Sequence, residues 1–117
     1  MPIESAQRYR EKNVISPFSS WRFNNKSRFI LEGKILRIEV LAKALIHWSE
    51  DGWQSIHDQE TLDSGLGVYY ADLPTNKLHE GSKVVFTFFW YEVSRWEGIN
   101  FEIEITPKEK KLSLLDI

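Results

Sequence analysis

From Trp21 onward, apolar and polar residues alternate with a period of two, the mark of strands whose successive side chains face opposite sides of a sheet. The clearest run is Lys34-Ile35-Leu36-Arg37-Ile38-Glu39-Val40, which puts Leu36, Ile38 and Val40 on one face and Arg37 and Glu39 on the other. A second run, Ala44-Leu45-Ile46-His47-Trp48-Ser49, stops at the turn signal Glu50-Asp51-Gly52 and predicts a hairpin with a return strand from Trp53 to His57. Asp58 to Gly67 reads as a polar loop. A strand over Val68 to Leu73, a connection from Pro74 to Gly81, the apolar strand Val84 to Trp90 and the alternating Phe101-Glu102-Ile103-Glu104-Ile105 follow. Ser20-Trp21-Arg22-Phe23 adds a weaker edge strand. Helical spacing is nearly absent.

Seven or eight short strands at this spacing predict an all-β fold, an immunoglobulin-like antiparallel β-sandwich. Residues 1–18 are polar, contain Pro17 and show no period, so they read as an N-terminal extension or linker; the sandwich domain occupies 19–106 and a C-terminal tail 107–117. With 117 residues and 42% hydrophobic content, one core can support the fold. The absence of cysteine excludes disulfide staples, thiolate metal sites and a thiol nucleophile. The longest apolar run, Val84 to Tyr91, is far below the roughly 18 residues of a spanning helix, so no membrane crossing is expected. The first eight residues carry no apolar core of a secretion signal.

Charge is distributed unevenly. Residues 1–43 hold nine Lys/Arg against four Asp/Glu, and residues 44–106 hold three against eleven. The acidic stretch contains most of the candidate chemistry and would repel a phosphate backbone, so no nucleic-acid partner is expected. The basic charges of the first third are scattered among apolar residues and read as a solvated face.

The aromatic content supplies the most specific signal: Trp 5, Tyr 4 and Phe 7 make 14% of the chain. Alternation puts Ala44, Ile46 and Trp48 on one face of their strand and Leu45, His47 and Ser49 on the other; the first set is the more apolar and is the expected core. His47 then faces outward, with Trp53 near it across the turn. An indole can stack on the C–H face of a pyranose while an imidazole hydrogen-bonds a hydroxyl. The plainer alternative folds Trp53 over the turn as a core ring and leaves His47 an ordinary surface residue. A second constellation, Arg95-Trp96-Glu97-Gly98-Ile99-Asn100, places a tryptophan between polar Glu97 and Asn100 beside a flexible Gly98. Its alternative is a hydrophobic plug at the end of the sandwich.

Other chemistry is poorly served. Glycoside hydrolysis needs two carboxyl groups facing across a cleft. Asp51, Asp58, Glu60, Asp63 and Glu97 are candidates, but a lone sandwich this small offers little room for one. No catalytic residues are expected. His47, His57 and His79 lack paired ligand spacing, and Asp58, Glu60 and Asp63 lack the order and glycine of an EF-hand loop, so neither a metal nor another cofactor is expected. Gly65-Leu66-Gly67 is too short for a phosphate loop.

The order Ile46-His47-Trp48, Gly52-Trp53, Asp72-Leu73-Pro74, a Phe-rich strand and then Trp96-Glu97-Gly98-Ile99-Asn100-Phe101 resembles starch-binding carbohydrate-binding modules of the family twenty-five type, over residues 34–106. In that family a histidine, a tryptophan across the following turn and a tryptophan opening a Trp-Asp-Asn-Asn segment form the α-glucan platform. The resemblance implies these roles for His47, Trp53 and Trp96, with Glu97 and Asn100 as polar contacts, although the consecutive asparagines are missing here. Trp21-Arg22-Phe23-Asn24-Asn25-Lys26, His47-Trp48-Ser49-Glu50-Asp51-Gly52-Trp53, Thr61-Leu62-Asp63-Ser64-Gly65-Leu66-Gly67-Val68 and Arg95-Trp96-Glu97-Gly98 are similar to the C-terminal accessory domain of bacterial glucoamylase-type glucan glucosidases. The implied partner is an α-1,4-glucan (starch, glycogen or a maltooligosaccharide), with a glycoside hydrolase catalytic domain as a second. The competing expectation is a structural sandwich that docks on a catalytic partner and binds no sugar, its aromatics forming the interface.

Overall fold

The computed structural model describes residues 16–107. The expected extension and tail therefore lie, except at their inner ends, outside the described residues. Ten strands and no helix occur among them: β1 Phe18–Trp21, β2 Phe29–Leu31, β3 Ile35–Val40, β4 Ala44–Ser49, β5 His57–Glu60, β6 Leu62–Asp63, β7 Tyr69–Leu73, β8 Lys83–Trp90, β9 Arg95–Trp96 and β10 Phe101–Thr106. They form two sheets in a sandwich-like arrangement, one ordered β1-β3-β7-β6 and the other β2-β10-β8-β4-β5, with β9 paired to β8.

The buried residues follow the alternation. Leu36, Ile38 and Val40 of β3, Ala71 and Leu73 of β7, Ala44, Ile46 and Trp48 of β4, Val84, Phe86 and Phe88 of β8, and Ile103 and Ile105 of β10 form one core, joined by Trp21 and Ile30. Trp21 packs edge-on to Phe86 at 5.0 Å and lies 5.0 Å from Phe101, so this core is aromatic at its centre. On the outer face of the smaller sheet, Arg37 opposes Asp72 in register and donates to both its oxygens, at 2.7 and 2.9 Å. This carboxylate hydrogen bond raises the Arg37 pKa.

Several expectations need correction. Both sheets are mixed, because β1 runs parallel to β3 and β2 parallel to β10. Alternation reports which face a side chain takes, and carries no information about the direction of the neighbouring strand. The return strand begins at His57, after the expected Trp53, and the expected loop from Asp58 to Gly67 holds most of β5 and all of β6. Thr61 is where the chain passes from one sheet to the other. Its N–H donates to the Ala44 carbonyl at 3.0 Å and its hydroxyl oxygen accepts from the Ala44 N–H at 3.1 Å, which satisfies polar groups at a buried crossing. Strands of two or three residues, such as β2, β6 and β9, are too short to display a period, which is why the expected seven or eight became ten.

Candidate functional site: an aromatic shelf on the larger sheet

The turn after β4 is built by short polar side chains. The Ser49 hydroxyl oxygen accepts from the backbone N–H of Asp51 at 3.2 Å and of Trp53 at 3.0 Å, and its O–H donates to Asp51 Oδ1 at 2.8 Å. The same Asp51 oxygen accepts from the Ser55 N–H at 2.8 Å. That bond, with the Ser49 hydroxyl next in weight, lowers the Asp51 pKa below the ordinary carboxylate range. Ser49 is consequently buried, although alternation alone would place it outward with His47. Inside this turn Trp53 adopts φ 72°, a left-handed conformation that costs a bulky L-residue about 1–2 kcal/mol. The hydrogen bonds from Ser49 and Asp51 over-determine the conformation and offset that strain.

The strained turn holds the half-buried Trp53 ring over His47, with centroids 5.4 Å apart and planes at 21°. From a separate stretch of chain, β9 brings Trp96 opposite Phe89 of β8 and edge-on to the same imidazole, also at 5.4 Å and at 73°. The two indoles therefore flank one histidine with steeply inclined planes. Trp96 is 48% exposed. On the other side, Asp58 of β5 opposes His47 in register, and its Oδ1 lies 2.6 Å from His47 Nδ1. A carboxylate only accepts, so Nδ1 carries the proton, and Nε2 makes no hydrogen bond to any described residue.

The expected polar residues separate. Glu97 follows Trp96 directly, yet alternation turns it inward: its N–H donates to the Phe88 carbonyl at 2.8 Å and its carboxylate accepts from the Trp90 indole N–H at 2.8 Å. It lies apart from the three rings. Asn100 is exposed in the segment between β9 and β10, a segment held against the outer face by Thr87, whose hydroxyl donates to the Ile99 carbonyl at 2.7 Å. Thr87 in turn opposes His47 on β4.

Tyr91, Asp58 and Glu60 are not among the residues that the resemblance assigns to the platform. All three border the shelf. Phe89 packs edge-on to Trp96 at 5.2 Å and to Tyr91 at 5.7 Å, and the Tyr91 hydroxyl donates to Glu60 Oε1 at 2.8 Å. This bond raises the Tyr91 pKa. The available signal was the shared phase of Thr87, Phe89 and Tyr91; it was obscured because Tyr91 lies one residue beyond the strand.

Among the described residues, no group of three or more His, Asp or Glu side chains could hold a metal ion. A cavity of about 1090 Å³ among the described residues is lined by none of the three rings; it opens between Phe23, Leu41, Leu66 and Trp90. Its charged groups are already engaged, Arg22 with Glu39, Arg37 with Asp72, Glu97 with Trp90 and Asp63 with the Gly65 N–H. Comparison with protein-family models, with curated proteins and with solved structures gives no match for this chain.

Proposed function

We propose that this chain is a non-catalytic α-glucan-binding domain with an immunoglobulin-like sandwich fold, serving as an accessory module of a glucan hydrolase. The observation that carries the reading is the convergence of Trp53 and Trp96 on His47, each from its own segment and at different inclinations. An α-1,4-glucan coils, so successive glucose rings present their faces at an angle. Two inclined indoles suit that curve better than they suit a flat cellulose strip. The imidazole Nε2 is left to hydrogen-bond a sugar hydroxyl, with Asn100 at the rim. Glu97 contributes indirectly, by holding the chain beside Trp96 through its bond to Trp90.

Each aromatic contact contributes about 0.5–1.5 kcal/mol beyond burial, and association costs at least about 4 kcal/mol of rigid-body freedom. The expected affinity is on the order of micromolar to millimolar. Tethering to a catalytic domain with its own glucan site makes such an affinity useful, by raising the local polymer concentration.

Titration with maltoheptaose, followed by tryptophan fluorescence and calorimetry, tests the reading. The full chain should give a saturable response, and Trp96→Ala should weaken binding by about tenfold while lowering the thermal midpoint only modestly, because about half of the ring is already exposed. Trp53→Gly should also weaken binding with only a small change in stability, since relief of the left-handed strain offsets the loss of the half-buried ring and its stack on His47. No response from the wild type would refute sugar binding. The second reading, docking on a catalytic partner, is favoured at a different place: Leu41 and Leu66 at the mouth of the large cavity are 83% and 87% exposed.

A further inference from the structure

Resting on the glucan reading above, we infer that the binding site extends beyond the His47 cradle to a second subsite formed by Tyr91, Glu60 and Lys43, and that its ligand is a neutral glucan long enough to reach both.

The rings form an unbroken row over the larger sheet. Trp53 touches His47, His47 touches Trp96, Trp96 touches Phe89 and Phe89 touches Tyr91, with successive centroids 5.2–5.7 Å apart. The Tyr91 N–H donates to the Lys43 carbonyl at 3.4 Å, which fixes Tyr91 four positions along the chain from His47. At a strand rise of ~3.3 Å per residue, the row continues for about 13 Å past the imidazole. This is more length than the two indoles need to hold a short oligosaccharide.

Beside the row runs β5, whose Asp58 and Glu60 share the outer face because they oppose His47 and Leu45 in register. Each spends one oxygen inside the protein, Asp58 Oδ1 on His47 and Glu60 Oε1 on Tyr91. Their other oxygens make no hydrogen bond to any described residue. A sugar hydroxyl can donate to each, and two acceptors two residues apart match hydroxyls on different units of one chain. At the far end the Lys43 ammonium, 5.4 Å from the Tyr91 ring centroid, offers a donor, and Tyr91 is 37% exposed. Acceptor carboxylates along the strip favour a neutral polyol and repel a uronate or phosphorylated chain. A chain engaged at the cradle meets the second subsite intramolecularly, so a contact too weak to act alone still raises the affinity.

Calorimetric titration of the full chain with maltotriose and with maltoheptaose tests the inference. The expected result is heptaose binding about two- to tenfold more tightly than triose, the gain of one added aromatic contact. In Tyr91→Leu, which keeps apolar bulk beside Phe89, and in Glu60→Ala, on the exposed strand, that ratio should fall toward one. Thermal unfolding checks that each variant is folded, and Glu60→Ala carries the test if Tyr91→Leu is not. Equal affinities for the two sugars in the wild type, or a ratio that persists in the folded variants, would overturn the second subsite and leave the cradle intact. Binding of neither sugar would overturn the glucan reading and the subsite together.

Discussion

Strand β8 separates two aromatic clusters with opposite fates. On its inner face Phe86 and Phe88 are fully buried and pack with buried Trp21 and half-buried Trp90 and Phe101 between the sheets, with the more exposed Phe23 at the edge of that cluster. On its outer face Phe89 is only half-buried, and it joins Trp96, Tyr91 and, through Trp96, the His47–Trp53 stack. Both clusters use the same ring types at similar centroid spacings. They differ in the company kept: the inner rings meet a second sheet, whereas the outer rings meet Asp58, Glu60, Lys43 and Thr87. Inner ring contacts stabilise the fold, and outer ones, left partly wet, are available to a ligand.

The strongest test of this contrast is removal of an inner ring. Phe88→Ala should cost about 3–5 kcal/mol by cavity formation, seen as a large fall in denaturation midpoint, against about 1 kcal/mol for the outer Trp96→Ala. Comparable losses for the two would mean that the outer cluster is part of the core. A smaller effect is expected at the junction between the clusters. Ser49→Ala leaves the Asp51 and Trp53 N–H groups without their side-chain acceptor at a buried position, for about 1–3 kcal/mol, and should also weaken glucan binding by releasing Trp53 from its place over His47. Stability falling with unchanged binding would show that Trp53 is held by His47 alone.

The smallest effect concerns acid. The folded state holds the Asp51 pKa below its ordinary value, so this contribution is complete above the ordinary aspartate range of about 4. As pH falls below that range, the unfolded chain takes up the proton first, and the contribution fades until pH passes the lowered folded-state value. Between pH 5 and 3 the wild type should lose slightly more thermal stability than Asp51→Asn, and its Ser55 amide should exchange faster with solvent. Identical pH slopes would show that the turn does not depend on the ionised carboxylate.

The sequence by itself determined the faces. The alternation over Ile35–Val40, Ala44–Trp48, Lys83–Trp90 and Phe101–Ile105 separates core from surface, because a strand offers each side chain only two directions and water selects between them. It also placed His47 outward and marked Glu50-Asp51-Gly52 as a turn. Only the tertiary structure decided the partners: the parallel pairings of β1 and β2, the sheet switch at Thr61, the turn of Glu97 away from its neighbour Trp96, the assembly of Trp53, Trp96 and Asp58 around one imidazole, and the pairing of Tyr91 with Glu60 farther along the same face. Those residues come from four separate segments, and local periodicity cannot report distances set by long-range strand pairing.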